Sequence, residues 1–344
     1  KLIDDYIDRG SQPQDKSVEA PCQPRRHPAQ EIQTPGAVLS IWGSATSPSD
    51  RFVPFFAEKR MNFEGEFETM RHRVGIVSQR GYKPESPNQD DFFILARADS
   101  LLIGILDGHG PDGHDVSHWV QEKLPTYLTE HLRQDTDAWE SAVEASVDEL
   151  CSRARQDLAA KAENSGTTAT IAMLDYGMGS PRAGGPMRLR CAHLGDSIAV
   201  LAKREGKTSN WEVMQLTDIH RPDRPDEQER IELAGGSVSK GSGKYPPRLQ
   251  TPHWCLAMSR SIGDFHAVPY GLSNKPEFAP EQNLEPDCEY MILACSDGIW
   301  DVIPPQQAVK FVAKFSPDEA QLAVERLVSK ARRRWQETEE VVDD

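Results

Sequence analysis

An α+β fold, with sheets packed on one another and helices outside, is what the order of apolar patterns predicts. Two short β-like runs, Asp91–Ala96 and Leu101–Leu106, follow each other with no helix between them. Helical stripes come next as a block, and then several strands in succession. The regular strand–helix alternation of a parallel sheet is missing.

The elements can be read in chain order. Arg73–Ser78 is expected as the first strand of the domain, ahead of Asp91–Ala96 and Leu101–Leu106. Val116, Trp119, Val120, Leu124, Tyr127, Leu128 and Leu132 then fall on one helical stripe. Residues 137–163 form a second helical region. Strands are expected at Thr168–Leu174, Met187–His193, Ser197–Ala202, Trp211–Leu216 and Tyr290–Cys295, each a short apolar run bounded by turn residues. Gly177–Pro186 reads as a hairpin connection between two of them. Pro304-Pro305 opens a further helix with proline in its first turn, and 317–338 is the last helical stretch.

Residues 1–65 differ in texture. Prolines recur there without sustained periodicity, which favours an extended, Pro-rich N-terminal extension. Ala37–Trp42 is its one apolar run, and two readings stay open for it, a segment docked on the domain surface or a flexible leader. Residues 66–344 are expected to form the catalytic domain. The first residues, Lys1 to Asp5, show neither an initiator methionine nor a signal-peptide pattern, so a fragment of a longer chain is expected.

Composition excludes some functions. The formal net charge of −15 argues against a general nucleic-acid binder, because a polyanion would be repelled. No stretch approaches the apolar length needed to span a bilayer. The six cysteines include no C-x-x-C pair and sit partly in apolar runs, so reduced cysteines in a cytoplasmic or nuclear protein are expected. A monomer is expected.

The chemistry starts at Leu106-Asp107-Gly108-His109-Gly110. An apolar strand delivers a carboxylate, a glycine and a histidine to a turn. Aspartate is a hard oxygen ligand for Mg²⁺ or Mn²⁺, and a glycine lets its own carbonyl approach an ion. A histidine two residues on can give a proton to a leaving group. An Asp-Gly turn alone would mean little. Here Cys295-Ser296-Asp297-Gly298-Ile299-Trp300-Asp301 repeats the logic, while Asn88-Gln89-Asp90-Asp91 and Gly195-Asp196-Ser197 place carboxylates at two more strand ends. Clustered anions repel unless cations neutralise them, so a shared metal site is the economical reading.

Together, Asp107-Gly108-His109-Gly110, Gly166-Thr167-Thr168-Ala169, Gly195-Asp196-Ser197, Ser259–Asp264 and Asp297–Asp301 resemble the ordered motif set of type 2C (PPM) metal-dependent serine/threonine protein phosphatases. The resemblance covers about residues 72–344. It implies a four-layer α-β-β-α sandwich with two central antiparallel sheets. It implies hydrolysis of phosphoserine and phosphothreonine in phosphoprotein substrates by a metal-activated water, without a phosphoenzyme. Two core ions and a third, weaker one are implied, either Mg²⁺ or Mn²⁺.

Residue by residue, the resemblance implies that Asp107 bridges two metals and that the Gly108 carbonyl ligates one of them. Asp297 and Asp343 would hold the first metal, and Asp90 the second through water. Asp196 and Asp301, with Asp297, match the third site. His109 matches the general acid, and Asp264 lies close behind the metals. Arg80 is the expected phosphate clamp, with Lys83 the alternative; the sequence leaves that choice open.

The sequence departs from the family at four places. Gln89 replaces a glutamate. Asp91 could compensate, although strand alternation would point it to the opposite face. Gly81–Pro87 looks like an insertion beside the expected clamp, and Ile219-His220-Arg221-Pro222 stands where the family has Asp-His-Lys-Pro and is read as structural. Gly235–Arg248 falls where the family carries a flap beside the site, with a disordered loop as the equal alternative. The final strand that follows the Asp343 position in the family is not in the sequence, so a truncation at that strand is expected. The competing reading is a pseudophosphatase that serves as a binding scaffold. A nuclease or phosphodiesterase is disfavoured by the negative charge and by the lack of His-rich metal motifs.

Overall fold

The computed structural model describes residues 37–43, 61–65, 73–81, 87–97, 100–132, 138–176, 187–242, 246–252, 254–338 and 342–344. Lys83 and the expected hairpin at Gly177–Pro186 lie outside the described residues. The first strands are β1 (Ala37–Gly43), β2 (Met61–Gly65), β3 (Asp91–Arg97), β4 (Ser100–Leu106) and β5 (Gly108–His109). Helices α1 (Gly113–Leu132) and α2 (Trp139–Asp157) follow. Next come β6 (Gly166–Thr167), β7 (Ala169–Asp175), β8 (Met187–Leu194), β9 (Ile198–Glu205) and β10 (Glu212–Gln215). After α3 (Pro225–Leu233) come β11 (Ser237–Val238), β12 (Leu249–Gln250), β13 (Cys255–Leu256) and β14 (Ile262–Gly263). The last strands are β15 (Glu277–Phe278), β16 (Gln282–Leu284) and β17 (Cys288–Cys295), ahead of α4 (Pro305–Val312) and α5 (Ala320–Thr338).

Two antiparallel sheets form the centre. The larger runs β15-β8-β7-β4-β3-β1-β2, with β16 also on β8, and the smaller runs β10-β9-β17. Period-two alternation sends each strand's side chains to different layers. On β7, Ala169, Ile171 and Met173 join Leu124, Leu128, Val143 and Val147 of α1 and α2. Ala172, on the other face, packs with Leu189 and Cys191 of β8 against Ala199 and Leu201 of β9. On β9, Ile198, Val200 and Ala202 face Ala308, Val309 and Val312 of α4 and Ala323, Leu327 and Ala331 of α5. These three apolar interfaces make four layers, α-β-β-α.

Two expectations need correction. Arg73–Ser78 is not a strand. Its backbone pairs with a side chain instead: Ile76 N–H donates to Gln321 Oε1 at 3.0 Å, and Gln321 Nε2 donates to the Ile76 carbonyl at 3.0 Å. Val74 and Ile76 still pack on Phe92, Ile94 and Leu101, which accounts for the strand-like pattern. The second concerns Ala37–Trp42, expected as a surface contact or a flexible leader. β1 pairs with both β2 and β3, so the sheet continues into the Pro-rich region as a strand and not as a surface contact.

Leu124 is fully buried between α1 and the large sheet. Leu124→Ala should destabilise the protein by about 2–5 kcal/mol through lost transfer energy and a residual cavity. Urea unfolding should show a lower midpoint at an unchanged slope.

Candidate metal and catalytic centre

Three of the motifs meet in a sheet of two-residue strands, β14-β6-β5. Gly108 pairs with Thr167, His109 with Gly166, and Gly166 with Gly263. Such short strands have little stability of their own, so side chains tie them in. Thr168 is the main tie. Its N–H donates to the Asp107 carbonyl at 2.8 Å, and its Oγ1 accepts from the Asp107 N–H at 3.1 Å. The same hydroxyl lies 2.8 Å from Ser197 Oγ, beside Asp196. One threonine thus sets the ends of β4 and β9 next to each other. Thr168 also explains Gly195, which has φ +103° and where a Cβ would come within 2.5 Å of the Thr168 methyl.

Asp297 opens a short helical turn, Asp297–Trp300, at the end of β17, and Asp301 closes it. Trp300 Nε1 donates to the Ile198 and Cys295 carbonyls at 3.1 and 2.9 Å, and Trp335 Nε1 to the Gly298 carbonyl at 2.7 Å. Gly298 has no room for a side chain, because a Cβ would sit 2.2 Å from the Asp344 carbonyl. This close approach puts Asp343 against the Asp297–Gly298 turn.

Electrostatics shows that the carboxylates converge. Burial pushes the Asp107 carboxyl well above the usual range, and the charges of Asp297, Asp90, Asp196 and Asp343 add to the shift. Asp297 is raised in the same way, by burial first and then by Asp343, Asp196, Asp301 and Asp90. Asp196, half-buried, and Asp301, at the exposed rim, are raised too, by desolvation first, with His109 opposing the first shift and Arg221 the second. All seven expected metal residues, Asp90, Asp107, Gly108, Asp196, Asp297, Asp301 and Asp343, therefore belong to one locality.

A divalent cation fits this donor set. The side-chain donors are all hard oxygens, the charges repel one another, and Asp196 Oδ1 is buried with no hydrogen-bond partner.

Alternation settles the neighbours of Asp90. Asp91 turns to the helical face, where its Oδ2 meets His118 Nδ1 at 3.0 Å. Gln89 does not take the role of a metal-facing glutamate. Its Nε2 donates to the Gly110 carbonyl at 2.7 Å and so braces the Asp107–Gly110 turn. Arg80 is 3% exposed and lines a small cavity with Gly298, Asp343 and Asp344, beside the carboxylates.

Asp264 is 0% exposed, and its Oδ2 lies 2.6 Å from His109 Nε2. Burial opposes charge on the His109 ring, but Asp264 beside it outweighs that cost, and the ring holds its proton to higher pH than an ordinary imidazole.

The sequence reading missed two supports. Asp344 accepts from the Gly81 N–H at 2.7 Å through Oδ1 and from the Gln89 N–H at 2.9 Å through Oδ2. It therefore clips together the two segments that carry Arg80 and Asp90. The second support is a buried ionic network behind Ser259–Asp264. Glu227 of α3 is fully buried and accepts from Arg230 Nη1 at 2.5 Å, from Arg260 Nη2 at 2.7 Å and from the Ser259 hydroxyl.

His193, His220 and Glu277 form another close group, with one potential ligand atom from each within 4.8 Å of the others. The hydrogen bonds argue against an ion there. Gly195 N–H donates to His220 Nδ1 at 3.0 Å, so the proton of the neutral ring sits on Nε2, facing Glu277 Oε2 at 3.3 Å. Burial keeps both rings neutral, with His193 lowered to about 3. Arg224 already neutralises Glu277 at 2.6 Å. His220 is structural, as its motif suggested: its N–H donates to the Gly195 carbonyl and its carbonyl accepts from Ser259 N–H.

The family description "Protein phosphatase 2C" matches residues 83–339. A rice protein (Oryza sativa subsp. japonica), probable protein phosphatase 2C 64, is 34% identical over 273 residues, covering 76% of this chain and 60% of the relative's length. Bovine (Bos taurus) protein phosphatase 1L is 29% identical over 269 residues, covering 73% of this chain and 66% of its own. Among solved structures, a serine-threonine phosphatase 2C from Toxoplasma gondii superposes with a TM-score of 0.60 at 23% identity, over 74% of this chain and 87% of the other. At that identity the likeness shows the fold.

The Glu227 network generates a pH prediction. Burial works against its charge, but hydrogen bonds from Arg230, Arg260 and Ser259 win and hold it at about 2, below the ordinary 4.5. Its stabilising contribution is complete above the ordinary carboxylate range and is lost as pH falls through that window toward about 2. Glu227→Gln should therefore lower the melting temperature near neutral pH and shrink the difference from wild type as acid is added.

Proposed function

Because the chain belongs to the protein phosphatase 2C family, we propose that it hydrolyses phosphoserine and phosphothreonine in proteins with the help of Mg²⁺ or Mn²⁺. One observation carries the reading: half-buried, mutually repelling carboxylates converge beside a histidine that is itself paired with a buried aspartate. Asp107, Asp297, Asp343, Asp90 and the Gly108 carbonyl would hold the two core ions, and Asp196 and Asp301, with Asp297, a third. Bound there, divalent cations supply Lewis-acid neutralisation of phosphoryl oxygens and make water a competent nucleophile near neutral pH.

The chain's own residues do the rest. His109, kept protonated by Asp264, gives its proton to the departing serine or threonine oxygen. Arg80, which lines a small cavity with Asp343, would orient the phosphoryl group through its guanidinium. No phosphoenzyme nucleophile is required. Cys191 and Cys295, whose thiols burial pushes up to about 12, are poorly suited to that role. The described cysteines are unpaired, which supports a reducing compartment, cytoplasm or nucleus.

A pseudophosphatase acting as a scaffold is the second reading. It is favoured by Gln89, whose amide is committed to the Gly110 carbonyl where the family resemblance expects a carboxylate. Turnover of a phosphothreonine peptide separates the two readings. Wild-type protein should act with Mn²⁺, stop in EDTA, and lose at least about 100-fold in kcat on Asp107→Asn. Turnover in EDTA, or an unimpaired variant, would overturn the mechanism. No turnover under any condition would favour the scaffold.

A further inference from the structure

We propose that Asp264 is the positioning residue of the general acid, holding the His109 ring by its Nε2 proton so that Nδ1 is left for the departing oxygen. The proposal rests on His109 being the acid, and three observations from different parts of the chain carry it.

The first is the contact itself. Asp264 Oδ2 sits 2.6 Å from His109 Nε2 and also accepts from Ser261 Oγ at 2.7 Å. Two donors on one oxygen fix the carboxylate's orientation, and the short distance fits a charge-assisted bond. The second is backbone conformation. Asp264 lies in the left-handed region, at φ 49°, ψ 40°. A non-glycine residue seldom adopts that conformation, and it persists where the surroundings over-determine it. Here they do: Asp264 N–H donates to the Ser165 carbonyl at 2.9 Å, and its own carbonyl accepts from Ala267 N–H at 2.8 Å. An extended backbone at this position would aim the side chain elsewhere.

The third observation is the space kept for the pair. A Cβ at Gly166 would lie 2.1 Å from Asp264 Oδ2 and 2.9 Å from His109 Nε2. Only glycine at the centre of β14-β6-β5 lets the two side chains meet. His109 Nδ1, on the opposite edge of the ring, is covered and makes no hydrogen bond of good geometry, with the Asp107 backbone beside the ring. An orphaned ring nitrogen is costly, and a substrate oxygen delivered there would recover that cost.

Leaving-group chemistry separates a general-acid role from a structural one. A threonine alkoxide departs only if protonated, whereas p-nitrophenolate leaves without help. Asp264→Asn is nearly isosteric, and asparagine tolerates the left-handed backbone. It should lower kcat on a phosphothreonine peptide about 10- to 100-fold, with KM within about twofold and turnover of p-nitrophenyl phosphate within about threefold. Mn²⁺ affinity by calorimetry should match wild type. Because Asp264 acts through His109, adding Asp264→Asn to His109→Ala should cost nothing further.

Equal losses on both substrates, weakened Mn²⁺ binding, or a further loss in the His109→Ala background would overturn the proposal. If His109→Ala treats both substrates alike, the general-acid reading fails first, and the proposal with it. Should Asp264→Asn not fold, Ser261→Ala frees the same carboxylate oxygen. It should show the same selective loss, smaller in size, and an unselective loss there would equally overturn the proposal.

Discussion

Carboxylates held together against their own repulsion are the constraint around which the rest of this molecule is built. Asp107 and Asp297 are half-buried, and each feels the charges of Asp90, Asp196 and Asp343. Desolvation and like charge both oppose that arrangement, so the apolar layers must hold it open. The fold does this by ending strands of both sheets at one place. Asp107 follows β4 of the large sheet; Asp196 precedes β9 and Asp297 follows β17 in the small one. The interface of Ala172, Leu189 and Cys191 with Ala199 and Leu201 fixes the sheets against each other and so fixes the distance between the carboxylates.

Polar ties then convert that coarse placement into a site. Thr168 bonds the Asp107 backbone and meets Ser197. His220 carries the link from Gly195 to Ser259, and Glu227 gathers Arg230, Arg260 and Ser259 behind it. Thr168, Ser197, His220, Glu227 and Ser259 are buried and hydrogen-bonded, the condition under which polar networks specify one arrangement. His109 stands at the edge of the same locality, turned by Asp264. The carboxylates and His109 are thus positioned through shared strands, and a change at Thr168 or Gly166 reaches both.

Much of this could be read from the chain because strand ends leave a local signature. Leu101–Leu106 running into Asp107-Gly108, and Tyr290–Cys295 into Ser296-Asp297, announce where carboxylates are delivered. Two-residue alternation also predicted that Asp91 turns away from Asp90, and it faces His118. What could not be read depends on contacts between distant segments. Asp264 and His109 are 155 residues apart and meet across strands only two residues long, too short for any periodic pattern. Asp344 bridges Gly81 and Gln89 from the far end of the chain. Arg73–Ser78 has the apolar pattern of a strand, but Gln321 takes its hydrogen bonds. Ala37–Gly43 lies among prolines that hide a sheet strand.

The central claim is that the fold stores repulsion which divalent cations relieve. Equilibrium urea unfolding of the wild-type chain across a Mn²⁺ titration tests it most directly, since a ligand that binds only the folded state stabilises it by mass action. The account predicts that stability rises by at least about 1.4 kcal/mol for each tenfold increase in Mn²⁺ above the dissociation constant. A free energy of unfolding that does not change with Mn²⁺ would contradict it.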